Sequence, residues 1–337
     1  MLDVTVVLLS DGLSSTYIMP VEIFHSAGAL WNALQGTAPT PAFRVRTVAP
    51  GGGQVKSPYG LSLHAEARLD DIAQTDIIIV PTSGMDLDAK LAENRALIPW
   101  LRRHHDQGAY IVGVCMGSAY LAEAGLLDGR IATTHWAVSD DLSRRYPDVL
   151  WRPDLFVTED SRVVCSGGVC GSIDVSLYLV EKFCGHDIAV QCAKALLLPM
   201  PRILQSGYAM LPVSQPHDDA CIRAVEEHMQ ARYRDNLSTQ MLAALAGLGT
   251  RTFVRRFKAA TGRVPAEYLQ ALRIQAAKAM LEKDNASIQS IATATGYNDV
   301  AFFRALFKRS TGMTPADYRA HFAPMHVRGE AMPAIGA

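Results

Sequence analysis

The feature that most constrains this chain is a sequence repeat in its last third. The segment FVRRFKAATGRVPAEY, which we call copy one, begins at Phe253, and FRALFKRSTGMTPADY, copy two, begins at Phe303, fifty residues later. The identical pairs are Phe253/Phe303, Phe257/Phe307, Lys258/Lys308, Thr261/Thr311, Gly262/Gly312, Pro265/Pro315, Ala266/Ala316 and Tyr268/Tyr318. Because glycines, prolines and aromatic residues recur at one spacing, we predict two copies of one helical motif.

Each copy, taken together with the residues just before it, is predicted to contain a short helix, a tight turn and a second helix. The short helix ends at Gly247 in copy one and at Gly296 in copy two. Phenylalanines four positions apart give the second helix one apolar face, which packs onto the first helix. We expect Thr250 to cap the second helix of copy one, because Gly249 precedes it. Helices are predicted over residues 219–233, 239–246, 250–261, 265–284, 288–295, 299–310 and 315–322.

The face opposite the phenylalanines is basic in both copies. It carries Arg251, Arg255 and Lys258 in copy one, and Arg304 and Lys308 in copy two. A helix with such a face fits the major groove of B-DNA. Residues 218–325 hold 15 Lys+Arg and 10 Asp+Glu, a balance of +5, whereas the other residues hold 17 and 23, a balance of −6. Each helix alone would also suit a bundle with solvated charges, but the duplication favours DNA binding.

Residues 238–322 resemble the DNA-binding domain of the AraC family of transcription activators. The resemblance implies that the second helix of each motif contacts bases. The positions concerned are held here by Arg251, Val254 and Arg255 in copy one and by Val300, Ala301 and Arg304 in copy two, with Lys258 and Lys308 beside them. Ala305 stands where the family commonly has an arginine. We therefore expect copy two to read bases more weakly and to rely on phosphate contacts.

The first part of the chain alternates apolar runs with amphipathic stretches. Strands are predicted over residues 4–9, 43–48, 76–80, 110–114 and 162–164, and helices over 20–34, 94–105, 118–124 and 173–183. Continuous β-branched runs between helices predict an α/β fold, with a doubly wound, mostly parallel sheet, followed by an all-α double helix-turn-helix domain. A proline-rich break predicts a first domain 1–198, a linker 199–217, a DNA-binding domain 218–325 and a tail 326–337.

The sequence YIVGVCMGSAYLAEAGLLDGRIATTHW, from Tyr110, places Cys115 where an apolar strand runs into a helix. This is the nucleophile-elbow arrangement, in which a helix N-terminus favours the thiolate. His135 is its candidate partner, because cysteine and histidine are the minimal pair for a thiol nucleophile. Residues 3–186 resemble the PfpI-type family, which is related to class I glutamine amidotransferases. The resemblance implies a flavodoxin-like, amidotransferase-type domain.

Two positions depart from the enzymes of that family. Thr16 stands where they usually have a carboxylate, and Met116 stands where many have a histidine. A PfpI-type domain followed by an AraC-type domain resembles a known regulator architecture, in which the first domain senses a ligand and dimerises. We therefore predict a transcription regulator, not an enzyme, that binds a small metabolite through Cys115, Met116, His135 and Thr16. The alternatives are a cysteine hydrolase or amidase that uses Cys115 and His135, and redox sensing at Cys115.

The same resemblance implies the partners of the chain. We expect double-stranded DNA, a second copy of the chain in a homodimer, and a small amine, amino acid or similar effector, with RNA polymerase as a further candidate. No cofactor and no metal are predicted, since the six cysteines lack zinc-ligand spacing. Cys165 and Cys170 are either buried thiols or a redox pair. The N-terminus lacks an export signal and no apolar run is long enough for a membrane, which predicts a cytoplasmic protein.

Overall fold

We describe the chain from a computed structural model that covers residues 1–208, 217–283 and 285–323. The chain divides into two compact units, Met1–Gln205 and Ser206–Ala337, and each is described by itself. The predicted linker contains this division, but its residues 209–216 lie outside the described residues, as does the predicted tail. The domain boundaries therefore stay a prediction. Within the described ranges, every helix is too short or too polar to cross a lipid bilayer.

A seven-stranded sheet forms the centre of the first unit. The strands of this unit, including two additional two-stranded sheets, β3-β4 and β8-β9, are β1 (Leu2–Val7), β2 (Phe43–Ala49), β3 (Gly53–Lys56), β4 (Ser62–Ala65), β5 (Ala67–Arg68), β6 (Ile77–Val80), β7 (Tyr110–Val114), β8 (Ile131–Ala132), β9 (Leu150–Trp151), β10 (Val157–Asp160) and β11 (Val163–Ser166). The main sheet has the order β10-β11-β7-β6-β1-β2-β5 and is parallel except for the edge pair β10–β11. The chain extends outward from β1 in both directions, which confirms the predicted doubly wound sheet.

Helices cover both faces of this sheet. They are α1 (Ser15–Ser26), α2 (Leu30–Leu34), α3 (Leu87–Glu93), α4 (Leu97–Asp106), α5 (Ser118–Glu123), α6 (Ser139–Arg145), α7 (Gly171–Cys184) and α8 (His186–Ala195). Successive side chains of β6 enter two different cores, with Ile77 and Ile79 in one and Ile78 and Val80 in the other. Because both faces of the strand are buried, its sequence is a continuous apolar run and does not alternate.

The predicted helix over residues 20–34 is wrong. The structure has two helices there: α1, which contains Pro20 in its interior, and the short α2. The chain turns between them at Gly28, whose φ is +73°. A side chain at Gly28 would also lie 2.3 Å from the carbonyl oxygen of Thr40, so only glycine fits this turn.

The described part of the second unit is helical, as predicted. Its helices are α9 (Ala220–Ala231), α10 (Thr239–Leu245), α11 (Thr250–Thr261), α12 (Pro265–Lys283), α13 (Ile288–Ala294), α14 (Val300–Thr311) and α15 (Pro315–Phe322). They enclose two separate cores, one around each copy of the repeat. In copy one α10 and α11 form the helix-turn-helix, and in copy two α13 and α14 form it.

The two copies share the details of their packing. The rings of Phe257 and Tyr268 are 5.3 Å apart at 87°, and the rings of Phe307 and Tyr318 are 5.4 Å apart at 83°. The second helix of each copy ends at a left-handed glycine, Gly262 in α11 with φ +78° and its counterpart in α14 with φ +79°. The repeated residues thus build the same local structure twice.

The copies differ where their second helices begin. The expectation that Thr250 caps α11 is wrong, because Gly249 holds the N-cap position and makes no side-chain hydrogen bond, while Thr250 is already helical. In α14 the N-cap is Asp299, whose carboxylate accepts hydrogen bonds from the N–H groups of Ala301 and Phe302. Copy two therefore has the better-capped helix.

Candidate functional site

Cys115 lies in the sharp turn that the sequence predicts between β7 and α5. Its backbone has φ +56°, which is unusual for a residue with a side chain. The turn packs so closely on the sheet that a side chain at Gly117 would lie 2.2 Å from the carbonyl oxygen of Val80. Glycine is therefore required at that position, and the turn holds Cys115 at the carboxyl end of β7.

The thiol of Cys115 is protonated at neutral pH. Burial raises its pKa to about 11, and this effect outweighs hydrogen bonds from the backbone of Met116, the side chain of Thr82 and the backbone of Gly168, which lower it. The backbone groups at the start of α5 favour the thiolate as expected, but desolvation opposes it and is the stronger effect here. A buried neutral thiol is a poor nucleophile.

His135 borders the same space as Cys115. Its Nδ1 accepts a hydrogen bond of 3.1 Å from the backbone N–H of Ala137, so in the neutral ring the proton lies on Nε2. Burial lowers the pKa of His135, which keeps the ring neutral. Between these two described residues there is no hydrogen bond, and the partners of the Cys115 sulfur are those named above.

A cavity of about 590 Å³ opens at Cys115 and His135, beside the carboxyl ends of β1, β6 and β7. Ligands of doubly wound folds usually bind at this edge of the sheet. Its lining comprises Asp11, Leu13, Pro58, Tyr59, Thr82, Gly84, Met85, Asp86, Lys90, Cys115, Met116, His135, Ala137, Val138 and Val169. Lys90 forms ion pairs with Asp11 and with Glu93. The cavity is thus mostly apolar, with a few charged groups.

Thr16 does not reach this cavity. Its side chain is completely buried, and its hydroxyl donates a 2.6 Å hydrogen bond to the carbonyl oxygen of Leu13. Thr16 stabilises the loop that follows β1, and Leu13 and Asp11 of that loop line the cavity instead. The other three residues predicted to bind the ligand, Cys115, Met116 and His135, all line it.

Several lining residues were not predicted from the sequence. Asp11 and Gly12 form the dipeptide Asp-Gly in the segment that follows β1, which is a turn signal and marks a loop at the carboxyl end of a strand. That signal identifies Asp11. Tyr59 and Lys90 belong to distant segments, and only the fold brings them to the cavity.

Cys165 and Cys170 form no disulfide. Cys165 is buried in β11, where desolvation raises its pKa to about 12, whereas Cys170 is exposed at the start of α7. Both are free thiols. The interpretation as a small buried thiol therefore applies to Cys165 but not to Cys170.

The exposed face of α11 is strongly cationic. Phe253 and Phe257 are completely buried, whereas Arg251, Arg255 and Lys258 are exposed. Among the described residues, these three cations have no ion-pair partner. They are free to contact phosphates or base edges. Val254, which the resemblance also placed at the interface, is half-buried and packs against the core of copy one.

The exposed face of α14 has a different character. Ala301, Arg304 and Lys308 are exposed, and Val300 is half-buried against the core of copy two. Arg304 lies fifty positions after Val254, and Ala301 lies fifty positions after Arg251. The copies therefore share the lysine at positions 258 and 308 but place their exposed arginines at different positions on otherwise equivalent helices.

The fold and these two sites define a class of protein: an α/β domain with a pocket at its strand ends, followed by a duplicated helix-turn-helix with basic second helices. A model of the DJ-1/PfpI family matches residues 5–182, and a model of a helix-turn-helix domain matches residues 242–321. The chain belongs to the AraC-type transcription regulators that carry an N-terminal DJ-1/PfpI domain.

Similar proteins agree with this assignment. The HTH-type transcriptional regulator GlxA of Rhizobium meliloti (strain 1021) is 30% identical over 282 residues, which cover 83% of this chain and 86% of that protein. An AraC family transcriptional regulator from Pseudomonas putida has a crystal structure that aligns with a TM-score of 0.50 and 21% identity. This alignment covers 58% of this chain and 100% of that one, and it shows a shared fold.

The DJ-1/PfpI family also includes enzymes. Isonitrile hydratase from Pseudomonas putida is 35% identical over 136 residues, which cover 40% of this chain and 57% of that protein. This match is confined to part of the chain, whereas the regulator GlxA aligns with most of it. The similarity to a regulator therefore extends over both units, whereas the similarity to an enzyme is limited to a smaller segment.

Proposed function

We propose that this regulator changes its binding to DNA when a small molecule occupies the cavity at Cys115. The observation that carries the proposal is the pairing of two features in one chain. The first unit has an apolar cavity around a buried thiol, and the second has two helices with exposed cations. The first feature suits ligand binding, and the second suits DNA.

The lining of the cavity favours a cationic ligand with an apolar body. Asp11 and Asp86 line it with two carboxylates, against one ammonium group on Lys90, so the lining has a balance of −1. The remaining walls are largely apolar and suit methyl or methylene groups. We therefore infer that the effector is a small amine, an amino acid or a quaternary ammonium compound.

We infer that the first unit binds its ligand without catalysis. The thiol of Cys115 is protonated, and Nδ1 of His135 is occupied by a backbone N–H, so neither group is prepared to activate a nucleophile. The same burial disfavours redox sensing, because oxidation follows thiolate character and exposure. Labelling with iodoacetamide across pH tests this: we expect Cys115 to react only well above pH ~8.5. Rapid labelling of Cys115 itself near neutral pH would favour a cysteine hydrolase; labelling of the exposed Cys170 does not bear on this.

A short path of hydrogen bonds leads from the cavity to the last residue of the first unit. The hydroxyl of Thr134 donates to the carbonyl oxygen of Cys115, and the amide of Gln205 donates to the carbonyl oxygen of Thr134. Gln205 is 1% exposed, and its side chain lies over Gly167, where a side chain would collide with it. A ligand that moves the Cys115 turn would therefore move Gln205.

The next residue belongs to the second unit and is also anchored. The hydroxyl of Ser206 donates to the carbonyl oxygen of Ser310 near the end of α14, and Nζ of Lys278 donates to the carbonyl oxygen of Ser206. We infer that the effector acts on α14 through the peptide bond between Gln205 and Ser206. Gln205→Ala is expected to retain ligand binding and DNA binding, each measured alone, and to lose the effect of one on the other.

For the DNA complex, we propose base contacts by Arg251, Arg255, Ala301 and Arg304 and phosphate contacts by Lys258 and Lys308. Two motifs in one chain would occupy successive major-groove segments on one side of the duplex. We further propose that the chain acts as a homodimer in the cytoplasm. We also propose that it contacts RNA polymerase, since regulators of this architecture act on promoters.

The test is the affinity of the full chain for its own upstream DNA, measured by fluorescence anisotropy at several salt concentrations. We expect log affinity to fall linearly with log salt. Lys258→Ala should reduce the slope by roughly one, because it removes one of the proposed phosphate contacts. Arg144→Ala is the matched control, because Arg144 is an exposed arginine on α6 in the first unit. Binding that is weak and independent of salt for the wild type would contradict the proposal.

A further inference from the structure

The exposed face of α14 carries an apolar patch, formed by Ala301, Phe302 and Ala305. Phe302 is 49% exposed although it is a phenylalanine, and both alanines are exposed beside it. At the equivalent positions, fifty residues earlier, copy one has Arg251, Thr252 and Arg255. Copy two thus has two methyl groups where copy one has two guanidinium groups, and a phenyl ring where copy one has a threonine.

Phe302 is not needed to fill the core of copy two. Phe303 and Phe307 occupy that core and are completely buried. The ring of Phe302 lies 6.0 Å from the ring of Tyr297 and is otherwise open on its outer side. Its backbone is held in the first helical turn by the Asp299 cap, so the ring sits on a well-defined support. With Ala301 and Ala305 beside it, the ring presents a small, well-supported apolar surface to a binding partner.

The charges around the patch indicate what covers it. Arg304, Lys308 and Arg309 are exposed on the same helix and border the patch. A partner that covers this face must therefore present negative charge around an apolar centre. The major groove of B-DNA does so where phosphates flank a thymine, since thymine alone among the four bases carries a C5-methyl group.

We propose that α14 recognises thymine, through contacts of Phe302, Ala301 and Ala305 with C5-methyl groups. Lys308 and Arg309 bind the flanking phosphates, beside the base contact proposed for Arg304. This inference rests on the proposed binding of DNA and adds to it the class of base that copy two selects. Copy one, with Arg251 and Arg255 at the equivalent positions, is suited to guanine instead.

The experiment removes single methyl groups from the DNA. A duplex is first selected from a random pool with the full chain, and each thymine is then replaced in turn by uracil, which lacks only the methyl group. At one or two positions we expect the wild-type affinity to fall about fourfold, the value of one buried methyl-sized group. At the position that Phe302 contacts, Phe302→Ala should bind the thymine and uracil duplexes equally. Its salt slope should be unchanged, because methyl contacts release no counterions.

Two variants serve as controls. Phe302→Leu keeps an apolar side chain and should keep part of the discrimination. Leu245→Ala truncates an apolar residue that is 53% exposed on α10, outside the patch, and should discriminate like the wild type. Thermal unfolding of each variant checks that it is folded.

The outcomes separate this inference from the proposed function. If the full chain enriches a duplex but replacing thymine with uracil leaves its affinity unchanged at every position, the inference is wrong while DNA binding stands. If uracil lowers the affinity of the wild type and of Phe302→Ala by the same factor at every position, the inference is also wrong, because a residue other than Phe302 contacts the methyl group. If no duplex is enriched, the proposed function itself fails.

Discussion

Copy one and copy two of the repeat have nearly the same interior and different exteriors. The paired aromatic rings, the C-terminal glycines and the helix lengths agree closely between them. On the exposed face, Arg251 and Arg255 of α11 are replaced by Ala301 and Ala305 in α14. The difference shows that packing preserves the motif, while the surface that would contact DNA is free to diverge.

The two copies also differ at one equivalent position, where copy one has an ion-paired arginine, Arg256, and copy two has a core leucine, Leu306. Arg256 of copy one is exposed and forms an ion pair with Asp219, the N-cap of α9. Its counterpart Leu306 is 3% exposed and packs in the core of copy two. Copy one therefore holds α9 with an ion pair at a position where copy two has core packing.

The largest effect is expected from the shared core. Phe257→Ala and Phe307→Ala each remove a completely buried ring, so each should lower the free energy of unfolding by about 3–5 kcal/mol. Urea denaturation of the full chain measures both, and Phe302→Ala is the exposed control. A large inequality between the two variants would show that the copies are not equivalent inside.

The exchanged contact gives the next prediction. Leu306→Ala should cost about 2–5 kcal/mol, because it leaves a cavity. Arg256→Ala should cost much less, because the ion pair of copy one is exposed to solvent. Urea denaturation compares the two, and a greater destabilisation by Arg256→Ala would contradict this view.

The ion pair also predicts a dependence on pH. The hydrogen bond from Arg256 holds the pKa of Asp219 below its ordinary value. The stabilisation is therefore complete above the unfolded value of about 3.9 and is lost as the pH falls through the lowered folded value. Wild type and Arg256→Ala should differ in stability at neutral pH and converge in strong acid, as followed by urea denaturation.

Changes on the exposed face should alter DNA binding more than stability. Arg251→Ala is expected to weaken binding to the selected duplex by about 1–3 kcal/mol, which is typical of an arginine that contacts guanine. Ala305→Arg makes copy two resemble copy one and should shift the base preference at its position from thymine toward guanine. Anisotropy titrations measure both, and an unchanged base preference for Ala305→Arg would place residue 305 away from the bases.

The smallest effects concern the helix caps. Gly249→Ser gives α11 a side-chain cap and should add a few tenths of a kcal/mol, while Asp299→Gly should remove about as much from copy two. The expected changes are opposite in sign and similar in size. Thermal unfolding of both variants against the wild type is the check, and a loss of stability in Gly249→Ser would mean that a side chain does not fit there.

The sequence predicted most of what depends on local pattern. The helices of the repeat, the turn at Cys115 and five of the seven strands of the main sheet follow from periodicity and from glycine positions, whereas β5 and β10 were not predicted. It failed where distant segments decide the outcome. The protonation of Cys115 depends on burial among segments far apart in the chain, and the removal of Thr16 from the cavity depends on the path of the loop after β1. The apolar patch around Phe302 was also not predicted, although the spacing of Phe303 and Phe307 had already assigned the buried face of α14.

The most direct test of the central claim is interference mapping of the full chain on the selected duplex, with guanine N7 methylation and with uracil for thymine. We predict two interference patches on one side of the duplex, about 10–10.5 base pairs apart. Guanine should dominate the patch that Arg251→Ala removes, and thymine should dominate the patch that Phe302→Ala removes. A single patch, or two patches that respond to the same variant, would contradict the account of two alike motifs with different reading faces.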